Sequence, residues 1–388
     1  MSERMNFIHR LEAGETMTEL CREFGISRKT GYKLLKRWQE EGPEGLFDRS
    51  RAPLSSPHKR PEAIRTLVFN VKKAHPTWGA RKVLARLART TPGVNLPAPS
   101  TVGAWFKSAG LVKRRVRRRG PWRHKGPLTK PTRANEVWCA DFKGQFRMGN
   151  GRYCYPLTIT DAFSRKLLAC VALESTHAGP AYLVFEEVFA EFGLPEVIRT
   201  DNGVPFCSPH ALFGWSKLST RWHELGISHE RIEPGKPQQN GKHERMHLTL
   251  KEECTRPPGE NLLHQQEILD RFRRCFNEVR PHEGIGNAVP DDLYQPSTTR
   301  LPSAIGEPDF SLFDYALPVR RSGHIKMPAL GKRPRTVYLT TVLAGRRVGV
   351  RELDHDRWHV EWRGIALGEI DMTTRRLELP EEEIECVP

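Results

Sequence analysis

Three carboxylates stand out by the residues around them. Asp141 lies in Val137-Trp138-Cys139-Ala140-Asp141-Phe142, an apolar, strand-prone run in which a buried, unpaired carboxylate is costly. Such a group needs a cation, and a metal ion or a paired Arg would serve equally well. Asp201 follows Val197-Ile198-Arg199-Thr200 and precedes Asn202-Gly203, so it stands where a strand ends and the chain turns. Taken alone, Asp before Asn-Gly is also an ordinary turn composition. Glu244 sits in a stretch that opens with Pro237, a residue suited to the first turn of a helix. At about 100° per residue, Asn240, Glu244, His247, Leu248 and Lys251 share one face, while His243, Met246, Leu250 and Cys254 form another. Glu244 and Lys251 thus stack two turns apart, a carboxylate for a metal and an ammonium for a phosphate, although a solvated charged face has the same pattern. Gly241 weakens this helix by about 1 kcal/mol relative to Ala and suggests a close backbone approach.

The elements that must position these groups follow from periodicity. Residues 136–146, 153–161 and 166–173 are β-prone runs separated by Gly149-Asn150-Gly151 and Ser164-Arg165, which read as two hairpin turns. A helical stretch at 181–192 leads through Gly193-Leu194-Pro195 into the strand of Val197 and Ile198. Three antiparallel strands, a helix, a strand and further helices predict an α/β layer fold. Upstream, Thr16-Met17-Thr18-Glu19 reads as a capping box opening a short helix that Gly25 stops. Ser27 caps a second helix, with Leu34, Leu35 and Trp38 facing a core and Arg28, Lys29, Lys33, Lys36 and Arg37 on its flanks, the pattern of a helix-turn-helix. After a Pro/Ser-rich joint come further helical repeats, the last expected to be capped by Ser100 and stopped by Gly110. The Pro-rich stretch to about residue 328 reads as irregular, and the tail from 335 to 379 as a small five-stranded barrel.

Charge is divided unevenly along the 388 residues. Residues 1–133 hold 30 Lys and Arg against 10 Asp and Glu, a net of +20, while residues 134–388 hold 32 against 36, a net of −4. A solubilising surface would spread its charge, so the excess points to a polyanionic partner, nucleic acid. The densest run, Lys113, Arg114, Arg115, Arg117, Arg118, Arg119, Arg123, Lys125, Lys130 and Arg133, contains no acid and reads as an arm that orders on a phosphate backbone. Eight scattered Cys without a Cys-x-x-Cys pair suit a reducing cytoplasm. No apolar run has the length of a membrane span, and the first ten residues lack a signal-peptide core.

Taken together, the motifs resemble those of bacterial insertion-sequence transposases with a retroviral-integrase-type catalytic core, the D,D,E recombinases of ribonuclease-H-like fold. The resemblance rests on residues 138–142, on Leu157-Thr158-Ile159-Thr160-Asp161-Ala162-Phe163-Ser164-Arg165 and on Gly193-Leu194-Pro195 with Thr200-Asp201-Asn202-Gly203-Val204-Pro205-Phe206. It continues through Pro237-Gln238-Gln239-Asn240-Gly241-Lys242-His243-Glu244-Arg245 and Asn277-Glu278-Val279-Arg280-Pro281-His282. It implies that Asp141, Asp201 and Glu244 are catalytic and bind two divalent ions, Mg²⁺ or Mn²⁺, and that Asp161 lies outside this triad. Glu252 and Glu253 compete with Glu244 but lack the Asn-Gly-x-x-Glu context. Between Asp201 and Glu244 lie 42 residues, more than the resemblance implies, with the excess expected around Trp215 to Trp222.

The implied partners are double-stranded DNA, as element ends and target, and further copies of the chain as a dimer or tetramer. DNA contacts are expected from Arg28, Lys29, Lys33, Lys36, Arg37, Lys113, Arg114, Arg115, Arg117, Arg118, Arg119 and Lys251. The implied localisation is the bacterial cytoplasm, on the nucleoid when DNA-bound. Zinc is not expected, because Cys21 is the one Cys in residues 1–133. The expected division is 1–52 helix-turn-helix, 60–112 a second helix-turn-helix-like domain, 113–133 basic arm, 134–300 ribonuclease-H-like integrase core, 301–330 linker and 331–388 small β-barrel. A DNA-binding regulator with an inactive core and a hydrolytic nuclease of the same fold are the alternatives.

Overall fold

The computed structural model describes residues 2–48, 61–112, 128–208, 211–233, 236–328, 335–354 and 356–379. The basic positions 113–119, 123 and 125, and most of the Pro/Ser-rich joint, lie outside the described residues. The chain divides into two compact units, Met1–Glu62 and Ala63–Pro388.

In the first unit, α1 (Ser2–Glu12), α2 (Met17–Glu23) and α3 (Arg28–Glu41) close over one small core. The caps on α2 and α3 are those expected: the Glu19 N–H donates to Thr16 Oγ1 and the Thr30 N–H to Ser27 Oγ. The reciprocal half of the Thr16 box differs, since the Glu19 carboxylate accepts from the Thr16 hydroxyl at 2.7 Å. α1 is an addition to the expected pair, its charged surface residues masking the buried Phe7 and Ile8. Gly31 lets α2 and α3 meet, because a Cβ there would sit 2.6 Å from Met17 Sδ and 2.7 Å from Cys21 Sγ.

The second unit opens with α4 (Glu62–Ala74), α5 (Ala80–Thr90) and α6 (Pro99–Ser108) around Val68, Trp78, Val83, Leu87, Val102 and Phe106. α6 starts at Pro99 with Ala98 at its N-cap and no side-chain cap bond, so Ser100 is inside the helix rather than its cap. This helical part does not stand alone as a compact unit. Cys275 and Val279 pack on its core, Arg81 pairs with Glu283 at 3.0 Å, and Arg89 pairs with Asp292.

Five strands organise the central layer: β1 (Val137–Phe142), β3 (Tyr153–Asp161), β4 (Leu167–Leu173), β5 (Val197–Thr200) and β6 (Ser228–Arg231), with the short β2 (Phe146–Arg147) at the β3 edge. β4, β3 and β1 run antiparallel, and β5 and β6 add parallel to β1, giving a mixed sheet. Strand alternation sends Trp138, Ala140, Leu157 and Ile159 to one face, against α7 (Ala178–Phe192) and α8 (Lys217–Glu224). The opposite face meets α9 (Gly241–Cys254) and α10 (Leu262–Arg274) through Met246, Leu250, Leu269 and Phe272. Asn277 secures the start of β4, accepting from the Leu167 N–H and donating to its carbonyl, both at 2.9 Å. A short α11 (Pro290–Leu293) follows.

The C-terminal strands are β7 (Tyr315–Pro318), β8 (His324–Lys326), β9 (Thr336–Tyr338), β10 (Arg347–Asp354), β11 (Arg357–Trp362), β12 (Ile365–Asp371) and β13 (Arg376–Glu378). They form an open five-stranded sheet, β13-β12-β11-β10-β7, and a separate β8-β9 pair. The expected barrel is therefore not closed by strand pairing, because β7 and β13 end the sheet instead of joining each other. β7 and β8 also fall inside the expected linker of residues 301–330, where runs of three and four residues are too short to show a period against Pro and Gly. The long segment between Asp201 and Glu244 has a structural use. It supplies α8 and carries Trp215 into the C-terminal core, 5.5 Å from the Trp362 ring, while Arg346 pairs with Glu224 at 2.5 Å.

Candidate active site

Asp141 and Asp201 meet through strand register. Cys139 pairs with Arg199 across the parallel β1/β5 ladder, so two residues further on Asp141 comes level with Asp201 at the strand ends. Adjacent strands are about 4.8 Å apart. Asp141 is half-buried, and its carboxyl is raised from the ordinary carboxylate range to about 7, first by burial, then by the negative charges of Asp201 and Glu244. Asp201 accepts a 3.0 Å bond from the Gly203 N–H, and a Cβ at Gly203 would press to 3.1 Å from its Oδ2. Glu244 stands exposed on the first turn of α9.

Glu253 is engaged elsewhere, pairing with Arg280 at 2.8 Å and accepting from Thr77 at 2.7 Å. Lys251 is exposed on the same helix. Its charge joins burial in lowering the ammonium of Lys143, which follows Asp141 by two residues. Lys143 thus adds a cation at this site that sequence reasoning missed, because a single Lys after a strand carries no pattern.

Among the described residues, the potential ligand atoms lying within 4.8 Å of one another belong to Asp141, His243 and His247. The carboxylates of Asp201 and Glu244 are not drawn into that tight set. His243 and His247 project from α9 onto Thr158 and Thr160 of β3, with their rings edge to face at 4.7 Å. Burial lowers His243 to about 3 and His247 to about 2, so both are neutral. Their places on the helix were readable from its period, but the threonines opposite them depend on how α9 packs on β3.

Asp161 is fully buried, and its oxygens accept from the Asn135 N–H at 2.8 Å and from the N–H and hydroxyl of Ser164 at 2.7 Å each. On α3, Arg28, Lys29, Lys33 and Lys36 are exposed and Arg37 is half-buried; Tyr32 is exposed beside them. Among the described residues no helix is long and apolar enough to cross a membrane.

Residues 131–237 and 225–290 match families described as integrase core domain, residues 3–53 a helix-turn-helix domain and residues 30–106 a homeodomain-like domain. The insertion element IS476 uncharacterized 39.2 kDa protein of Xanthomonas euvesicatoria is 28% identical over 243 residues, 62% of this chain and 66% of that protein. The insertion element IS407 uncharacterized 31.7 kDa protein of Burkholderia multivorans is 28% identical over 241 residues, 62% of this chain and 83% of that protein. Among solved structures, the HTLV-2 integrase catalytic core domain in complex with magnesium aligns over 43% of this chain and 100% of its own, at 15% identity and a TM-score of 0.34. The chain carries helix-turn-helix domains and an integrase core domain and has insertion-element proteins as relatives, consistent with an insertion-sequence transposase having an integrase-type core.

Proposed function

We propose that the chain is a DNA transposase that binds the terminal inverted repeats of a mobile element, cleaves its 3′ ends and joins them to target DNA by metal-dependent phosphoryl transfer. The observation that carries this reading is the register that brings Asp141 level with Asp201 at the ends of β1 and β5, where burial and the charges of Asp201 and Glu244 raise the Asp141 carboxyl to about 7. Crowded carboxylates without a paired Arg fit a divalent-cation site of hard oxygen donors. Asp141, Asp201 and Glu244 would hold two ions, Mg²⁺ or Mn²⁺, whose chemistry when bound is to activate the attacking oxygen and stabilise the leaving one.

The chain's own contribution is placement. On this reading β1 and β5 would carry two of the carboxylates at neighbouring strand ends, and α9 the third on an exposed face where a phosphate can approach. Lys251 and Lys143 offer positive charge to that phosphate. Attack by water at the element end frees a 3′-hydroxyl, and attack by that hydroxyl on a target phosphodiester joins the two DNAs, with no covalent protein intermediate. Arg28, Lys29, Lys33, Lys36 and Arg37, with the basic arm, are assigned to DNA binding, where phosphate contacts position the duplex. One chain has one such set of carboxylates, so joining two ends in concert calls for a dimer or tetramer.

The test uses the full chain, Mg²⁺, a duplex of the inverted repeats flanking its gene and a target plasmid. Nicked 3′ ends followed by joined products are expected. Repeat binding with no cleavage, the behaviour of a regulator, contradicts the reading. So does nicking without joined products, the behaviour of a hydrolytic nuclease.

A further inference from the structure

The hydroxyl of Thr158 fixes the tautomers of two histidines. Its Oγ1 touches the main-chain oxygen of Asp141 at 3.0 Å, His243 Nε2 at 2.7 Å and His247 Nε2 at 2.7 Å. A carbonyl oxygen has no proton to give, so the single hydroxyl proton goes to Asp141 O. Both Nε2 atoms must then be N–H donors to the two lone pairs of Thr158 Oγ1. For His243 this completes its bonding, since Nδ1 accepts from the Thr160 hydroxyl at 2.8 Å. For His247 it leaves a bare lone pair on Nδ1, which faces Asp141 Oδ2 at 3.6 Å.

With Asp141 ionised, two acceptors therefore confront each other, one on a carboxylate and one on a histidine with 7% exposure. Water-facing groups can turn away from such a clash, but His247 is held by Thr158 and packed edge-on against His243. What suits the gap is a cation that both atoms can share, and ligand atoms at this spacing can both reach one ion at bond lengths of about 2.0–2.2 Å. His243 has no nitrogen to offer and acts as a brace for Thr158.

Building on the transposase reading, we propose that His247 Nδ1 is a nitrogen ligand of the divalent cation held by Asp141, and that it moves the site's preference from Mg²⁺ toward Mn²⁺. Carboxylate and water donors serve both ions, whereas imidazole favours a transition metal over Mg²⁺.

The test is pulsed electron paramagnetic resonance of Mn²⁺ bound to the full chain, prepared with natural and with ¹⁵N-labelled histidine. The expected spectrum has coupling to one directly bound histidine nitrogen, present in His243→Gln and absent in both His247→Gln and Asp141→Asn. Mn²⁺ affinity measured against Mg²⁺ should fall roughly tenfold in His247→Gln, the lower end of what a lost supporting group costs a metal site. A wild-type spectrum without nitrogen coupling overturns the inference even where a variant folds poorly. Bound Mn²⁺ that is lost in Asp141→Asn but lacks nitrogen coupling overturns this inference and leaves the transposase reading intact. Coupling that persists in His247→Gln belongs to another histidine and also overturns it, while failure to bind Mn²⁺ at all removes both.

Discussion

Asp141 and Asp161 occupy neighbouring strands of one sheet, with Trp138 paired to Asp161 and Asp141 paired to Thr158 in the same ladder. The Asp161 carboxylate is closed off from water and answered by three donors. Asp141 is partly open to solvent, receives the backbone N–H of Phe142, and lies among the like charges of Asp201 and Glu244, the Lys143 ammonium and the His247 ring. Polar satisfaction thus separates a carboxylate that holds the fold from the one proposed above to bind metal, since buried groups without partners cost free energy.

The strongest way to break this comparison is to neutralise each carboxylate in turn. In Asp161→Asn, the amide nitrogen confronts the Ser164 or Asn135 N–H, and urea denaturation should report a loss of about 1–3 kcal/mol. In Asp141→Asn, measured in chelator, stability should rise, because a neutral side chain of equal volume replaces a carboxylate crowded by Asp201 and Glu244. Equal losses in the two variants would remove the distinction.

Acid sharpens it for histidines that have no place in the site. His223 and His282 are lowered to about 4, in both cases mainly by burial. Below the unfolded value of about 6.5 the unfolded chain takes up protons that the folded chain refuses, so stability falls as the pH drops from 6.5 toward 4. The expected slope is about 1.4 kcal/mol per pH unit for each histidine. Urea titrations of His223→Gln and His282→Gln should each show a shallower decline over that window.

DNA binding gives smaller effects. Lys29→Ala or Lys33→Ala should reduce the slope of log affinity against log salt by about 0.9 for each phosphate left without its cation. An unchanged slope would take these residues off the phosphate backbone. Lys251→Ala should weaken engagement of a cleaved end a few-fold in a band-shift assay while Mn²⁺ affinity stays near that of the wild type. A drop in metal affinity alone would place Lys251 in a different role.

Much of the core was legible because its signals are local. The turns around Gly149-Asn150-Gly151 and Ser164-Arg165 separate β2, β3 and β4, and apolar alternation predicts strands bearing Asp141 and Asp161. Helical period places Glu244 and Lys251 on α9. Two features depend on packing and left no such trace. The pairing of Thr158 and Thr160 with His243 and His247 requires α9 to lie across β3, and the docking of Trp215 on Trp362 requires the C-terminal sheet to be in place. α1 escaped because its Met5, Phe7, Ile8 and Leu11 are interspersed with charge, and β7 and β8 because a few residues cannot establish a period.

The most direct test of the central claim is strand joining by Glu244→Gln, set beside Asp141→Asn and Asp201→Asn, with Mg²⁺ and a terminal-repeat duplex. Each variant should bind the duplex as the wild type does and lose cleavage and joining by roughly a hundredfold or more, the scale on which removing one charge-stabilising group acts. Near-normal joining by Glu244→Gln would contradict the account and put the third carboxylate elsewhere.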